Sequence, residues 1–68
     1  MSLSKCIVKI CFDNGEEGYF VRWEGDGFRW SESDELATEV SYHAFFGIKE
    51  KLLEFEGVSY VFDERLYD

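Results

Sequence analysis

The chain has 68 residues, 46% hydrophobic and 19% aromatic, with 15 acidic against 7 basic side chains, a formal net charge of −8 and no proline. One domain spanning residues 1–68 is the expectation for this length, and a core this small supplies only ~3–5 kcal/mol unaided. The acid excess argues against direct binding to nucleic acid or to an anionic membrane, and no stretch approaches the roughly 20 apolar residues of a membrane span.

Lys5 to Phe12 alternates and predicts a first strand with Cys6, Val8, Ile10 and Phe12 on its inner face. Cys6 and Cys11 both fall in it. Five residues of strand hold them ~16 Å apart on opposite faces, beyond the ~7 Å a disulfide spans, so two free thiols are expected, Cys6 buried and Cys11 accessible. Free thiols point to a reducing compartment, and no charged-then-apolar leader opens the chain, so a cytoplasmic protein is expected. With no disulfide to staple the core, homodimerisation is the expected substitute.

Asp13 to Gly18 is a turn with Asn14-Gly15 as its hairpin signal. Tyr19 to Glu24 reads as a second strand, and Phe28 to Trp30, after the Gly25-Asp26-Gly27 turn, as a third. Even-length loops set Trp23 opposite Phe28, Val21 opposite Trp30, and Ile10 or Phe12 opposite Tyr19. They gather Val8, Ile10, Tyr19, Val21, Trp23, Phe28 and Trp30 on one face, whereas an odd loop would turn one strand over.

Ser31 to Glu35 is polar, with Ser31 three residues before Asp34 in the manner of a helix cap, so that Leu36, Ala37 and Val40 would line a short helical turn. A longer helix runs from Tyr42 to Glu56, its apolar stripe at Phe45, Ile48, Leu52 and Phe55, with Gly57 as its stop. Val58 to Phe62 is a last strand. The fold class is therefore α+β: a small antiparallel sheet in the order β-β-β-α-β with one helix packed on one face.

The outer face of this sheet would carry Lys5, Ile7, Lys9, Cys11, Phe20, Arg22, Arg29 and Ser31. Arg22 and Arg29 would stand directly opposed, with Lys9 opposite or diagonal to Arg22, and like charges so placed call for carboxylates from this chain or a partner. On the helix, Tyr42, Phe46 and Leu53 widen the apolar arc to about 200°, more than one sheet covers. Either the segment Leu36 to Val40 or a partner would have to cover that second stripe. The candidate interaction residues are thus Lys9, Phe20, Arg22, Arg29, Phe46 and Leu53. Tyr19, Trp23, Phe28 and Trp30 read as core in preference to an aromatic cage for a cation.

No catalytic motif, phosphate-cradling loop or metal-ligand spacing emerges, and His43 lies on the polar side of the helix. No enzyme activity, cofactor or metal is expected. Tyr19-Phe20-Val21-Arg22-Trp23-Glu24-Gly25, followed by Trp30 and Leu36, resembles the second and third strands of a chromodomain. That resemblance implies a curled three-stranded sheet carrying a helix and reading methylated lysine through aromatics. It covers about 18 residues. The inter-strand loop is shorter than the family's, the tryptophan–glutamate–proline step is absent, and a strand follows the helix, so no cage residues carry over.

Together these features lead to a small acidic, non-enzymatic, homodimeric interaction module that recognises a protein partner of unknown identity through the outer sheet face and the second helix stripe. The alternative is an acidic nucleic-acid mimic of phage or mobile-element type, built on the six carboxylates between Glu24 and Glu39, that inhibits a DNA- or RNA-binding protein.

Overall fold

The structure, a computed structural model, describes residues 5–65; the single-domain expectation extends beyond them at both ends. Five strands form one antiparallel sheet around β1 (Lys5–Phe12). Strand β2 (Glu17–Glu24) pairs with β1 and with β3 (Gly27–Ser31), and β5 (Val58–Arg65) takes the other edge of β1. A two-residue strand, β4 (Val40–Ser41), leads directly into helix α1 (Tyr42–Leu52). The α+β architecture and the order β-β-β-α-β are those the sequence implies, with β4 as an addition.

Cys6 pairs with both Val40 and Arg65, so β4 and β5 lie on opposite edges of β1. Strand β4 therefore shares an edge with β2, filling the stretch of β1 that β2 leaves as it curls away after Tyr19. The segment before β4 stays with β2: the Thr38 N–H donates to the Phe20 carbonyl at 3.3 Å, and its hydroxyl donates to the Val21 carbonyl. It thus runs along the sheet and leaves the second helix stripe uncovered. Its helical content is one 3₁₀ turn, Asp34–Leu36, capped by Ser33 and not by Ser31, and Leu36 is exposed.

The register of the first hairpin corrects the expectation. Its loop has an odd length: Phe12 and Glu16 close it through the Phe12 N–H to Glu16 carbonyl bond at 2.8 Å, with Gly15 at φ +91° as its last residue. A left-handed third position is what a three-residue hairpin loop requires, and glycine supplies it without a Cβ clash. Lys9 therefore stands opposite Tyr19, and Ile10 opposite Gly18. Strand β2 begins the other way up, with Tyr19 outward and Phe20 buried at 3% exposure. Phe20 is core, not an outer-face residue.

A bulge between Phe20 and Arg22 then restores the phase. Phe20 pairs with Trp30, where Val21 was expected, while Trp23 and Phe28 pair as the sequence implies, as do Arg22 and Arg29. Phe20 and Trp23 consequently share a face, rings 4.8 Å apart and edge-on. Trp30 lies across Gly18 and tilts against Phe12 at 4.6 Å.

Helix α1 begins where its chemistry directs, with the Ser41 hydroxyl accepting from the Ala44 N–H at 3.1 Å. It ends at Leu52, short of the expected Glu56. The Glu54 and Phe55 N–H groups bond three residues back, to Lys51 and Leu52, and this tightening swings Phe55 towards Phe28 (5.0 Å) and Trp23 (6.5 Å). Phe45 and Leu52 seat the helix on Cys6, Val8, Ile10, Phe20 and Val61, and those seven side chains are the core.

Candidate interaction surface

With Val8, Ile10 and Val61 inward, strand alternation turns Ile7, Lys9, Cys11, Tyr19, Tyr60, Phe62 and Glu64 to the outer face, and the registers set Cys11 beside Tyr60, Lys9 beside Phe62 and Ile7 beside Glu64. Tyr60 (65% exposed) and Phe62 (49%) stand on β5 with their rings 6.0 Å apart and 20° from parallel. Ile7 is buried even though it lies on this side. The Lys9 ammonium pairs with Glu17 at 3.2 Å and sits 6.0 Å from the Tyr19 ring centroid, while the Tyr19 hydroxyl donates to Glu64 at 3.3 Å.

Two of these groups are shifted in acidity. The hydrogen bond that Lys9 donates to Glu17, reinforced by the carboxylate's charge, holds Lys9 above the ordinary lysine range. Burial of the Tyr19 hydroxyl raises that group too, because the phenolate is costly to form there, and the neighbouring Glu64 charge adds to the effect. Both protons stay put at neutral pH, so the outer face presents a fixed cation and a neutral phenol beside two exposed rings.

Arg22 and Arg29 face each other beyond the bulge and share one carboxylate: Glu24 lies 3.0 Å from Arg22 Nη2 and 3.4 Å from Arg29 Nε. The expected counter-charge thus comes from within the same hairpin. All three side chains are more than half exposed, so this network is cheap to rearrange, at ~0–1 kcal/mol per pair. The arginines border an open groove of about 520 Å³ whose apolar wall is Val21, Phe28, Trp30 and Leu36.

Of the six candidates, the structure brings Arg22 to Arg29 and sets Phe46 (50% exposed) and Leu53 (43%) on one exposed flank of α1. Lys9 is not in the arginine row; its neighbour across β2 is Tyr19 and its ion partner is Glu17. Phe20 drops out as core. Tyr60 and Phe62 take its place, and their signal in the sequence was the alternation of Tyr60 and Phe62 around Val61.

The described acids are spread over both hairpins, the 3₁₀ segment, the end of α1 and β5. Among the described residues no three His, Cys, Asp or Glu side chains come together as a metal site, and no helix is long and apolar enough to cross a membrane. Comparison with family models, with curated proteins and with solved structures returns no match.

Proposed function

We propose that this chain is a small acidic, cytoplasmic, non-enzymatic protein-interaction module that works as a homodimer and recognises a further protein through the outer face of its sheet. The observation that carries this reading is the amount of large apolar surface left open in so small a domain. Trp23, Leu36, Tyr42, Phe46, Leu53, Tyr60 and Phe62 are all exposed, and five of them fall in two groups, one on α1 and one on β5. Isolated apolar residues on a surface need no explanation, but ordered aromatic groups beside a fixed cation are the makings of a recognition site. The stacked pair Tyr60 and Phe62 supplies rigid contact area, and Lys9 with the loosely held Arg22 and Arg29 supplies positions for carboxylates of a partner. Cys6 and Cys11 are not joined in a disulfide, which suits a reducing compartment.

The test is affinity capture from source lysate with the purified chain, comparing the wild type with a Lys9→Ser, Tyr60→Ser variant. Both positions are at the surface, so the variant should keep the wild-type circular dichroism. A protein captured by the wild type and lost from the variant is the expected result. Capture that ignores the double substitution would overturn the assignment of the outer face.

A further inference from the structure

The sequence leaves the helix with an apolar flank it cannot itself cover, and the fold leaves β5 with an unpaired edge; the geometry points to a single surface containing both. Among the described residues β5 pairs with β1 alone, so the far side of its eight-residue backbone is open. The flank of α1 can be placed from its neighbours. Ala44, Gly47 and Lys51 border the groove against Trp23, with the Lys51 ammonium 5.4 Å from the Trp23 ring, so this side of the helix faces the β2–β3 ribbon. Phe45 and Leu52 point into the core. At 3.6 residues per turn, Tyr42, Phe46 and Leu53 lie about a quarter turn from the core stripe, on the side away from Trp23. In a sheet that runs β3-β2-β1-β5, the side away from β2 and β3 is the side of β5. The exposed helix flank therefore overhangs the open edge.

We propose that this combined surface takes a second copy of the chain, with two β5 strands pairing antiparallel about a two-fold axis and the two helix flanks packing above them. This rests on the interaction-module reading and gives its homodimer a location. A second copy is the occupant that brings what both halves lack, a strand for the edge and an apolar helix for the flank, at the same offset. The charges of β5 agree. Pairing centred on Val61 sets Tyr60 opposite Phe62 twice and Asp63 opposite Ser59, whereas centring on Asp63 or Glu64 would oppose like charges. Inward and outward faces are preserved in that register, so the core faces of the two sheets become continuous. The three helix side chains contribute roughly 500 Å² over two copies, taking a ring or large aliphatic at about half its burial value. Pairing of the β5 edges then brings the total towards the ~1,000 Å² of a stable interface. On the outer side the two Tyr60–Phe62 pairs merge into one row of four rings.

Sedimentation equilibrium over the micromolar range, at low and high salt, tests this together with amide hydrogen exchange. The expected result is a dimer that tightens roughly tenfold or more as salt screens two copies of charge −8. The β5 amides directed away from β1 should be protected in it. Leu53→Glu, at an exposed position, should yield a folded monomer in which those amides exchange freely while the β1–β5 amides stay protected. A monomer at all salts, a dimer that survives Leu53→Glu, or a dimer with unprotected outward β5 amides would overturn the interface. A monomer that still captures a partner through Tyr60 defeats this interface alone, and a dimer that captures none defeats only the partner-binding face.

Discussion

Alanine in place of glycine should have opposite effects at two positions of this small domain, and the geometry says which is which. A Cβ at Gly18 would lie 2.1 Å from Trp30 Cε3, 2.5 Å from Trp30 Cζ3 and 3.0 Å from the Ser31 carbonyl. Carbon atoms settle at about 3.5–4.0 Å, so the indole must retreat by more than ~1 Å. It has little room, because it is wedged against Phe12 at 4.6 Å and opposite Phe20 in the register. Forcing a methyl group into such a contact costs about 1–3 kcal/mol. At ~4–8 °C per kcal/mol for a domain of this size, Gly18→Ala should melt roughly 5–20 °C below the wild type. Gly47 is the control. It sits inside α1, and a Cβ there meets nothing within 4 Å. Replacing it with alanine removes the backbone-entropy cost of a helical glycine and should stabilise by about 0.5–1 kcal/mol. Urea unfolding followed by circular dichroism and tryptophan fluorescence, at one protein concentration and with unchanged slope, measures both. A Gly18→Ala variant as stable as the wild type would refute the packing of Trp30 over β2, and with it the register of the first hairpin.

The thiols report on the strand itself: Cys6, at 1% exposure, should resist native labelling until the chain unfolds, while the partly exposed Cys11 reacts quickly. Equal rates would mean that the two do not lie on opposite faces of β1. Lys9 and Tyr19 both hold their protons more tightly folded than unfolded, so the stability they provide is complete below about pH 10 and is lost as pH rises through their folded values. The urea midpoint should fall with increasing alkalinity above about pH 10, and Tyr19→Phe should lessen that fall. A slope indifferent to Tyr19→Phe would separate the hydroxyl from the titration.

The elements and their order were legible because each rests on a local signal: the alternation from Lys5 to Phe12, the Ser41 cap, the helical spacing of Phe45, Ile48 and Leu52. The face of β2 was not, because Tyr19-Phe20-Val21-Arg22-Trp23 has an aromatic or β-branched residue in either phase. Counting every apolar residue inward favoured an even loop; the structure uses an odd loop and a bulge, which buries Phe20, sets the exposed Trp23 beside it and sends Tyr19 to Lys9 and Glu64. The bulge leaves no mark in the sequence, because neither glycine nor proline stands at Val21, where the register shifts. Of the candidate site, the opposed arginines and the apolar helix flank were legible because hairpin register and helical period are short-range rules. Strand β4 was invisible for the opposite reason, since two residues carry no period and Val40 pairs only because β2 turns away from Cys6. The outer pair Tyr60 and Phe62 became meaningful only once β1 gave β5 its register.

That β1 borders β2, β4 and β5 has a consequence for how the chain is made. Its pairing with β5 joins segments roughly fifty residues apart, whereas the hairpin with β2 closes locally. During synthesis Lys5 to Phe12 can meet β2 almost at once, but one side of that strand stays bare until Val58 to Arg65 leaves the ribosome. Contacts so distant in sequence form late and slow the search for the native state. Until β5 arrives the emerging chain carries an open apolar strand edge, and the dense negative charge of the sequence keeps neighbouring copies apart in the meantime.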